Sequence, residues 1–322
     1  MVAGVDVIVN RAAHGLRDGR AVLHAIASHA PRAGAAVHET RDLDELARVA
    51  AAIASRRPRA VVLAGGDGSL MRGLSALARA YAGAPLPPIA IAPAGTMCTV
   101  ARNLGMRGDR ATWTARVIEA ACAGTARRSE ASTLRVRGSP GGGRHDEEHV
   151  AFIFGAGLVA RFFDAYEAAA HPGAATAAVL AARIFGGSIA GSAFARHVLA
   201  PTRGRVTVDG SEHPARSWSL LLASTVRDVG LHFLAPYRAG DEPDRFHTVA
   251  SGLPPRALGA QLPRVLTGRP MRGEPRIDAL ARSLEVAFDE ADGEGTYILD
   301  GDRLHAPRVT VTLGPRVTIL SP

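Results

Sequence analysis

The stretch Val61-Val62-Leu63-Ala64-Gly65-Gly66-Asp67-Gly68-Ser69-Leu70 constrains this chain more than any other. An apolar run, rich in valine, stops at three glycines placed around one carboxylate. The run suits a strand buried on both faces, and Leu70, Leu74 and Leu77 recur at helical spacing after Ser69. The expected local structure is strand, tight turn, helix. The first amides of such a helix have no intrahelical acceptor, and glycine lets backbone approach an anion closely. The turn therefore suits phosphate. Asp67 would sit beside it, where a carboxylate implies a divalent cation or a proton to be handled.

The same alternation surrounds this turn. Residues 5–10, 35–40, 61–64 and 89–92 read as strands, and 20–29 and 42–55 as helices with apolar residues on one stripe. Pro93-Ala94-Gly95-Thr96 forms a second phosphate-type turn entering a helix. Strand and helix alternating in this way predict a doubly wound, mostly parallel sheet with ligands at the carboxyl ends of its strands. Beyond about residue 125 short alternating segments take over, interrupted by helical stretches over 158–170, 174–199 and 256–266 and by a glycine-rich connection over 139–143. The expected fold class is α/β, with a β-sandwich-like C-terminal domain. The expected domains are residues 1–127 completed by 308–322, and residues 128–307.

Lysine is absent: all 38 basic residues are arginine. A Walker A loop, the strand lysine of protein kinases and Schiff-base chemistry each need a lysine ammonium, so none operates here. Cationic help to a phosphate must come from arginine, a metal or backbone dipoles. The net charge of +8 is spread along the chain and aromatics make up only 5%, which ranks nucleic acid last among partners. Two cysteines build neither a disulfide framework nor a four-cysteine metal site. Cys98 reads as a buried small residue at a helix start, a place that lowers a thiol pKa. The twelve histidines show no metal-type clustering. No secretory signal or membrane-spanning run is expected, so the chain reads as cytoplasmic.

Taken in order, Gly65-Gly66-Asp67-Gly68-Ser69, Pro93-x-Gly95-Thr96 and Ala101-Arg102-Asn103-Leu104-Gly105 resemble the diacylglycerol kinase catalytic domain family, which includes bacterial lipid kinases, sphingosine kinases and ceramide kinases. Asn10 with Gly15 resembles its opening turn, and Thr40 the end of its second strand. Gly155-Ala156-Gly157-Leu158 resembles the start of its second domain, and Asp300-Gly301-Asp302 its late acidic motif.

The resemblance implies an N-terminal domain like those of diacylglycerol kinase and NAD kinase, ATP and Mg²⁺ as cofactors, and a lipid hydroxyl as acceptor. It implies nucleotide contacts at Asn10, Thr40, Gly65, Gly66, Asp67, Gly68, Ser69, Gly95 and Thr96, with Asp67 near Mg-ATP. Asp302 matches the general base. A lipid substrate at an anionic membrane surface implies peripheral association. The helical stretch 174–199, broken by Gly186-Gly187 and Gly191, reads first as core helices, and its alternative is the mouth of an acyl-chain cleft with Arg183 and Arg196 facing anionic head groups; a homodimer is the other possible partner. The chain departs from the family at Met71-Arg72 and Cys98-Thr99, where Asn-Glu and Asn-Asp are usual, and at Pro243-Asp244, within the stretch that resembles a structural Mg²⁺ site. Two rivals stand beside this reading. One is a nucleotide- or lipid-binding protein without activity, and the other a soluble-metabolite kinase of NAD-kinase type. Asp300-Gly301 read alone is a hairpin turn.

Overall fold

The structure is a computed structural model that describes residues 4–11, 19–139, 147–171, 173–289 and 295–322. Gly15 and residues 140–143 of the glycine-rich connection lie outside the described residues. Two compact units divide the chain: Met1–Thr133 with Pro315–Pro322, and Leu134–Gly314.

In the first unit the order is β1 (Val5–Asn10), α1 (Arg20–His29), β2 (Ala36–Thr40), α2 (Leu43–Arg56), β3 (Ala60–Gly65), α3 (Asp67–Tyr81), β4 (Ile89–Pro93), α4 (Thr99–Asn103), α5 (Arg110–Ala123) and β5 (Arg127–Ala131). The sheet runs β2-β1-β3-β4, then the C-terminal strand Val317–Ser321, then β5. All pairings are parallel except that of β5 with the C-terminal strand. Burial explains the sequence pattern. Val61, Val62 and Leu63 are at most 3% exposed because helices cover both faces. Val7, Val9, Val62 and Ala92 pack with Val22 and Ile26 of α1 and Val117 and Ile118 of α5. On the opposite face Leu63 lies so close to Gly73 of α3 that a Cβ there would come within 3.0 Å of its side chain. Asp42 starts α2 by accepting from the Glu45 amide at 2.7 Å.

The second unit holds β6 (Leu134–Ser139), β7 (Glu147–Ala151), β8 (Ile153–Gly157), α6 (Leu158–Glu167), α7 (Ala174–Ala190), α8 (Ala193–Val198), β9 (Thr202–Val208), β10 (Ser211–Glu212), β11 (Ser217–Trp218), β12 (Leu220–Ser224) and β13 (Phe246–Ser251). It continues with α9 (Pro255–Gly259), α10 (Leu262–Leu266), β14 (Arg276–Ala281), β15 (Ser283–Phe288), β16 (Thr296–Leu299), β17 (Asp302–His305) and β18 (Arg308–Leu313). One antiparallel sheet runs β10-β9-β15-β18-β6-β7 and the other β14-β13-β12-β8-β16-β17. The sheets face each other where a Cβ on Gly138 of β6 would meet the Tyr297 hydroxyl of β16 at 2.6 Å. Leu180 and Ile184 of α7 pack with Leu220, Leu222 and Val249 on the outer face of the second sheet. The C-terminal half is thus antiparallel strands in two sheets with an added helical layer. The stretch expected to return to the first domain divides: Arg308–Leu313 pairs with β15 and β6 here, and only Val317–Ser321 joins the first sheet. Of the breaks expected in 174–199, the helix runs through Gly186-Gly187 and stops at Gly191, whose φ of +73° suits glycine, and Ser192 caps α8.

The chain passes from one sheet to the other at Phe152, which is fully buried. Asp300 holds that crossing. Its carboxylate accepts from the amides of Phe152 at 3.0 and 3.1 Å and of Ile153 at 2.8 Å. Asp300 and Gly301, with φ of +45° and +93°, are the central residues of a type I′ hairpin turn between β16 and β17. Asp300→Ala would leave two buried amides without an acceptor, and we expect a loss of about 2–6 kcal/mol in a urea unfolding experiment.

Candidate active site

The strand order reverses between β1 and β3, the place where open α/β sheets bind ligands at their carboxyl ends. Asn10 ends β1 and Gly65 ends β3, and the Asn10 side-chain amide donates to Ser69 Oγ at 3.1 Å. Thr40, in register with Asn10, is buried, and its hydroxyl faces the Val9 carbonyl at 3.5 Å. A Cβ on Gly65 would strike Ser69 Cβ at 2.4 Å, so the chain can fold back over this residue only with glycine there.

The two glycine turns touch. Gly65 is in register with Pro93, and the Ala94 amide donates to the Gly65 carbonyl at 2.9 Å. A Cβ on Gly95 would lie 2.4 Å from Gly66 Cα. Asp67 ties the second turn to the first. Its Oδ2 accepts from the Thr99 amide at 2.8 Å and its Oδ1 from the Val100 amide at 3.0 Å. The opening amides of α4, expected to be free for phosphate, are therefore taken by a carboxylate of the protein itself. Those of α3, at Asp67, Gly68 and Ser69, begin a fifteen-residue helix with no intrahelical acceptor of their own.

Burial pushes the Asp67 carboxyl up to about 6, against the two amides and the charges of Arg102 and Arg110. Arg110 donates to the carbonyls of Gly95 and Thr96, the latter at 2.9 Å, and Arg102 to that of Met97. The second turn is thus held by guanidinium groups on its carbonyls and by Asp67 on the amides after it. Nothing in the sequence marked these partners, since an arginine beside a helix cap reads as solvated surface.

The positions that depart from the family's pattern have structural work. Met71 is fully buried on the inner side of α3. Cys98 adopts φ of +48°, caps α4 and donates its thiol to the Gly95 carbonyl at 3.1 Å. Burial, reinforced by the neighbouring Asp67, pushes that thiol up to about 11, which overturns the lowering expected from a helix N-terminus.

Asp302 opens β17 opposite Leu299 and is partly buried. Among the described residues no group of three or more His, Cys, Asp and Glu side chains could hold a metal ion. In the stretch that resembles a structural Mg²⁺ site each acidic side chain carries an arginine: Asp241 with Arg227 at 2.6 Å, Glu242 with Arg245 at 3.0 Å and Asp244 with Arg282 at 2.7 Å. Nearby, His247 Nε2 lies 2.9 Å from Asp278, which also accepts from the Tyr237 hydroxyl at 3.2 Å. Burial works against ionisation of Asp278, yet these partners and Arg276 hold its carboxyl below the usual range.

The family model described as the diacylglycerol kinase catalytic domain matches residues 5–133, the segment that carries both turns. A diacylglycerol kinase from Bacillus anthracis str. Sterne is similar in structure over 99% of this chain and 97% of its own, at 17% identity and a TM-score of 0.63. Yeast NADH kinase complexed with NADH is similar over 100% of this chain and 84% of its own, at 10% identity and a TM-score of 0.51. At these identities the likeness is one of fold. No curated protein matches the sequence. The match to the diacylglycerol kinase catalytic domain supports a kinase of that type, and the matched residues include both glycine turns.

Proposed function

We propose that the protein is an ATP-dependent lipid kinase that transfers the γ-phosphate to a hydroxyl of a diacylglycerol-like or sphingolipid-like acceptor. The observation that carries this reading is the backbone contact of the two glycine turns at the ends of β3 and β4, beside the strand reversal and inside the segment that matches the kinase family. The free amides at the start of α3 suit phosphate oxygens, and the arginines around the second turn offset polyanion charge without a lysine. Asp67 acts by holding the turns in register. Among the described residues none forms a metal-binding group, so a magnesium ion would be held by the triphosphate itself and would supply charge neutralisation there. Phosphoryl transfer passes through a loose transition state, so positioning and charge supply most of the acceleration.

Asp302 is assigned the acceptor's proton from its place in the late acidic motif. Asp302→Asn should lower kcat by about 10²–10⁴-fold with ATP affinity unchanged, measured by steady-state turnover and calorimetry. An unaltered kcat would remove Asp302 from the mechanism. NAD as the acceptor in a parallel assay separates the soluble-metabolite reading.

Membrane docking is assigned to α7. No helix among the described residues is long and apolar enough to cross a membrane. The outward side of α7 nevertheless carries Val179 and Ile189, 68% and 52% exposed, among alanines and Gly186. Its single charge, Arg183, lies 4.2 Å from the ring centre of Phe194, and Arg196 is exposed on α8. An apolar helix face with arginines beside it suits an anionic lipid surface. Val179→Asp combined with Ile189→Asp should reduce co-sedimentation with phosphatidylglycerol vesicles at least about tenfold; unchanged co-sedimentation would exclude this face.

A further inference from the structure

A second feature of the N-terminal unit lies outside the glycine turns. A cavity of about 320 Å³ is lined by Gly105, Arg107, Asp109, Trp113, Arg116 and Arg127, with the main chain of Pro322 at its edge. It is built from the loop after α4, the first two turns of α5 and the start of β5. The C-terminal strand runs parallel to β4, so its end at the cavity points toward the same sheet edge as Pro93.

Three arginines and one acidic side chain, Asp109, line the cavity. That carboxylate is spent on the backbone: Asp109 accepts from the Thr112 amide at 2.8 Å and caps α5, and these hydrogen bonds hold its pKa below the usual range. Several other arginines are paired with acids, as at Arg56, Arg216, Arg227 and Arg303. Among the described residues no Asp or Glu side chain lies within ion-pair distance of Arg107, Arg116 or Arg127. Two of the three are steadied by main-chain oxygens. Arg107 Nη1 donates to the carbonyls of Arg102 and Met106 at 2.9 and 2.8 Å, and Arg127 Nε to the terminal main-chain oxygen of Pro322 at 3.2 Å. Anchoring of this kind leaves the outer N–H groups oriented and lowers the ordering cost of binding an oxyanion. Trp113 donates its indole N–H to the Ile91 carbonyl at 3.1 Å, so the polar edge of the ring is satisfied within the sheet. The ring remains part-exposed to the cavity.

We infer that this cavity binds a phosphate-bearing small anion, with the phosphate on the arginines and a ring or sugar against Trp113. Its volume is at the lower end of ligand sites, room for a phosphorylated headgroup or mononucleotide and not for an acyl chain. The site is separate from the turns that carry the proposed kinase reaction and stands whether or not that reading holds. The phosphate has two sources, a soluble phosphorylated metabolite or a phospholipid headgroup, and the test separates them.

In the soluble arm, AMP and pyrophosphate are titrated into the full chain with a non-hydrolysable ATP analogue present to occupy the glycine turns. Calorimetry and Trp113 fluorescence report binding; the other tryptophan, Trp218, is fully buried. In the lipid arm, co-sedimentation with phosphatidylglycerol vesicles is compared with phosphatidylcholine vesicles. Each arm is run on wild type, on a variant combining Arg107→Gln, Arg116→Gln and Arg127→Gln, and on Arg116→Glu, which touches no main-chain bond. A loss of at least tenfold in either arm, with thermal melting unchanged in Arg116→Glu, supports the site and names its source. Equal binding by wild type and both variants in both arms, or no binding by wild type, overturns it.

Discussion

Replacing Asp67 by alanine is expected to lower phosphoryl transfer from ATP by at least about 100-fold, because the amides of Thr99 and Val100 lose their acceptor and the second turn loses its register with the first. Asp67→Asn should fall between wild type and alanine, since its carbonyl oxygen can still accept an amide while its NH₂ group cannot. The pH dependence separates this role from bulk stability. The folded protein holds the Asp67 proton to about 6, against 3.8 as the ordinary value. Folding therefore favours the protonated form. That contribution to stability, about 3 kcal/mol, is complete below pH 3.8 and is lost as pH rises through about 6. Activity should move the other way, since the ionised carboxylate is the better acceptor for the two amides. The rate should rise through a limb near pH 6, and Asp67→Asn should lack that limb. A pH-rate profile with the same limb in the variant would deny Asp67 this function.

Gly95→Ala is expected to have the second largest effect. The added methyl would sit 2.4 Å from Gly66 Cα and 3.2 Å from Gly66 N, and both obstacles are backbone. The turns must separate by about 1 Å, a displacement that costs an active site about 10²-fold when it moves groups that position the reactants. Stability should fall by about 1–3 kcal/mol. Gly66→Ala is the control, because its Cβ would meet Gly95 Cα at 3.3 Å and calls for a shift of only a few tenths of an ångström. ATP affinity and turnover that are equal in the two variants would show that contact between the turns does not govern the site.

Much of the N-terminal unit was legible because its strands are short, apolar and buried on both faces, a pattern that periodicity reports directly. The ends of β1 and α1 fall where the sequence placed them, and the strand-turn-helix reading of residues 61–70 holds. What was hidden is non-local. Asp67 is visible as a carboxylate among glycines, but its partners lie 32 and 33 residues away on the next turn. Asp300 is readable as half of a hairpin turn, yet its carboxylate reaches back 148 residues to the sheet crossing at Phe152. Cys98 shows how burial defeats a local rule: the end of a helix lowers a thiol pKa only where the thiolate stays solvated. Residues 308–322 look uniform in sequence, but one of their two strands serves each unit. The solvent-facing alanines of α7 carry no charge pattern to separate an outer face from a core face, so helical spacing alone could not assign it.

The most direct test of the central proposal is transfer of label from [γ-³²P]ATP to a total lipid extract presented in vesicles, with the organic phase separated and the labelled product identified by mass. The account predicts label in a lipid phosphomonoester with wild type and at least about 100-fold less with Asp67→Ala. A protein that binds ATP and melts cooperatively yet moves no label into any lipid would contradict it.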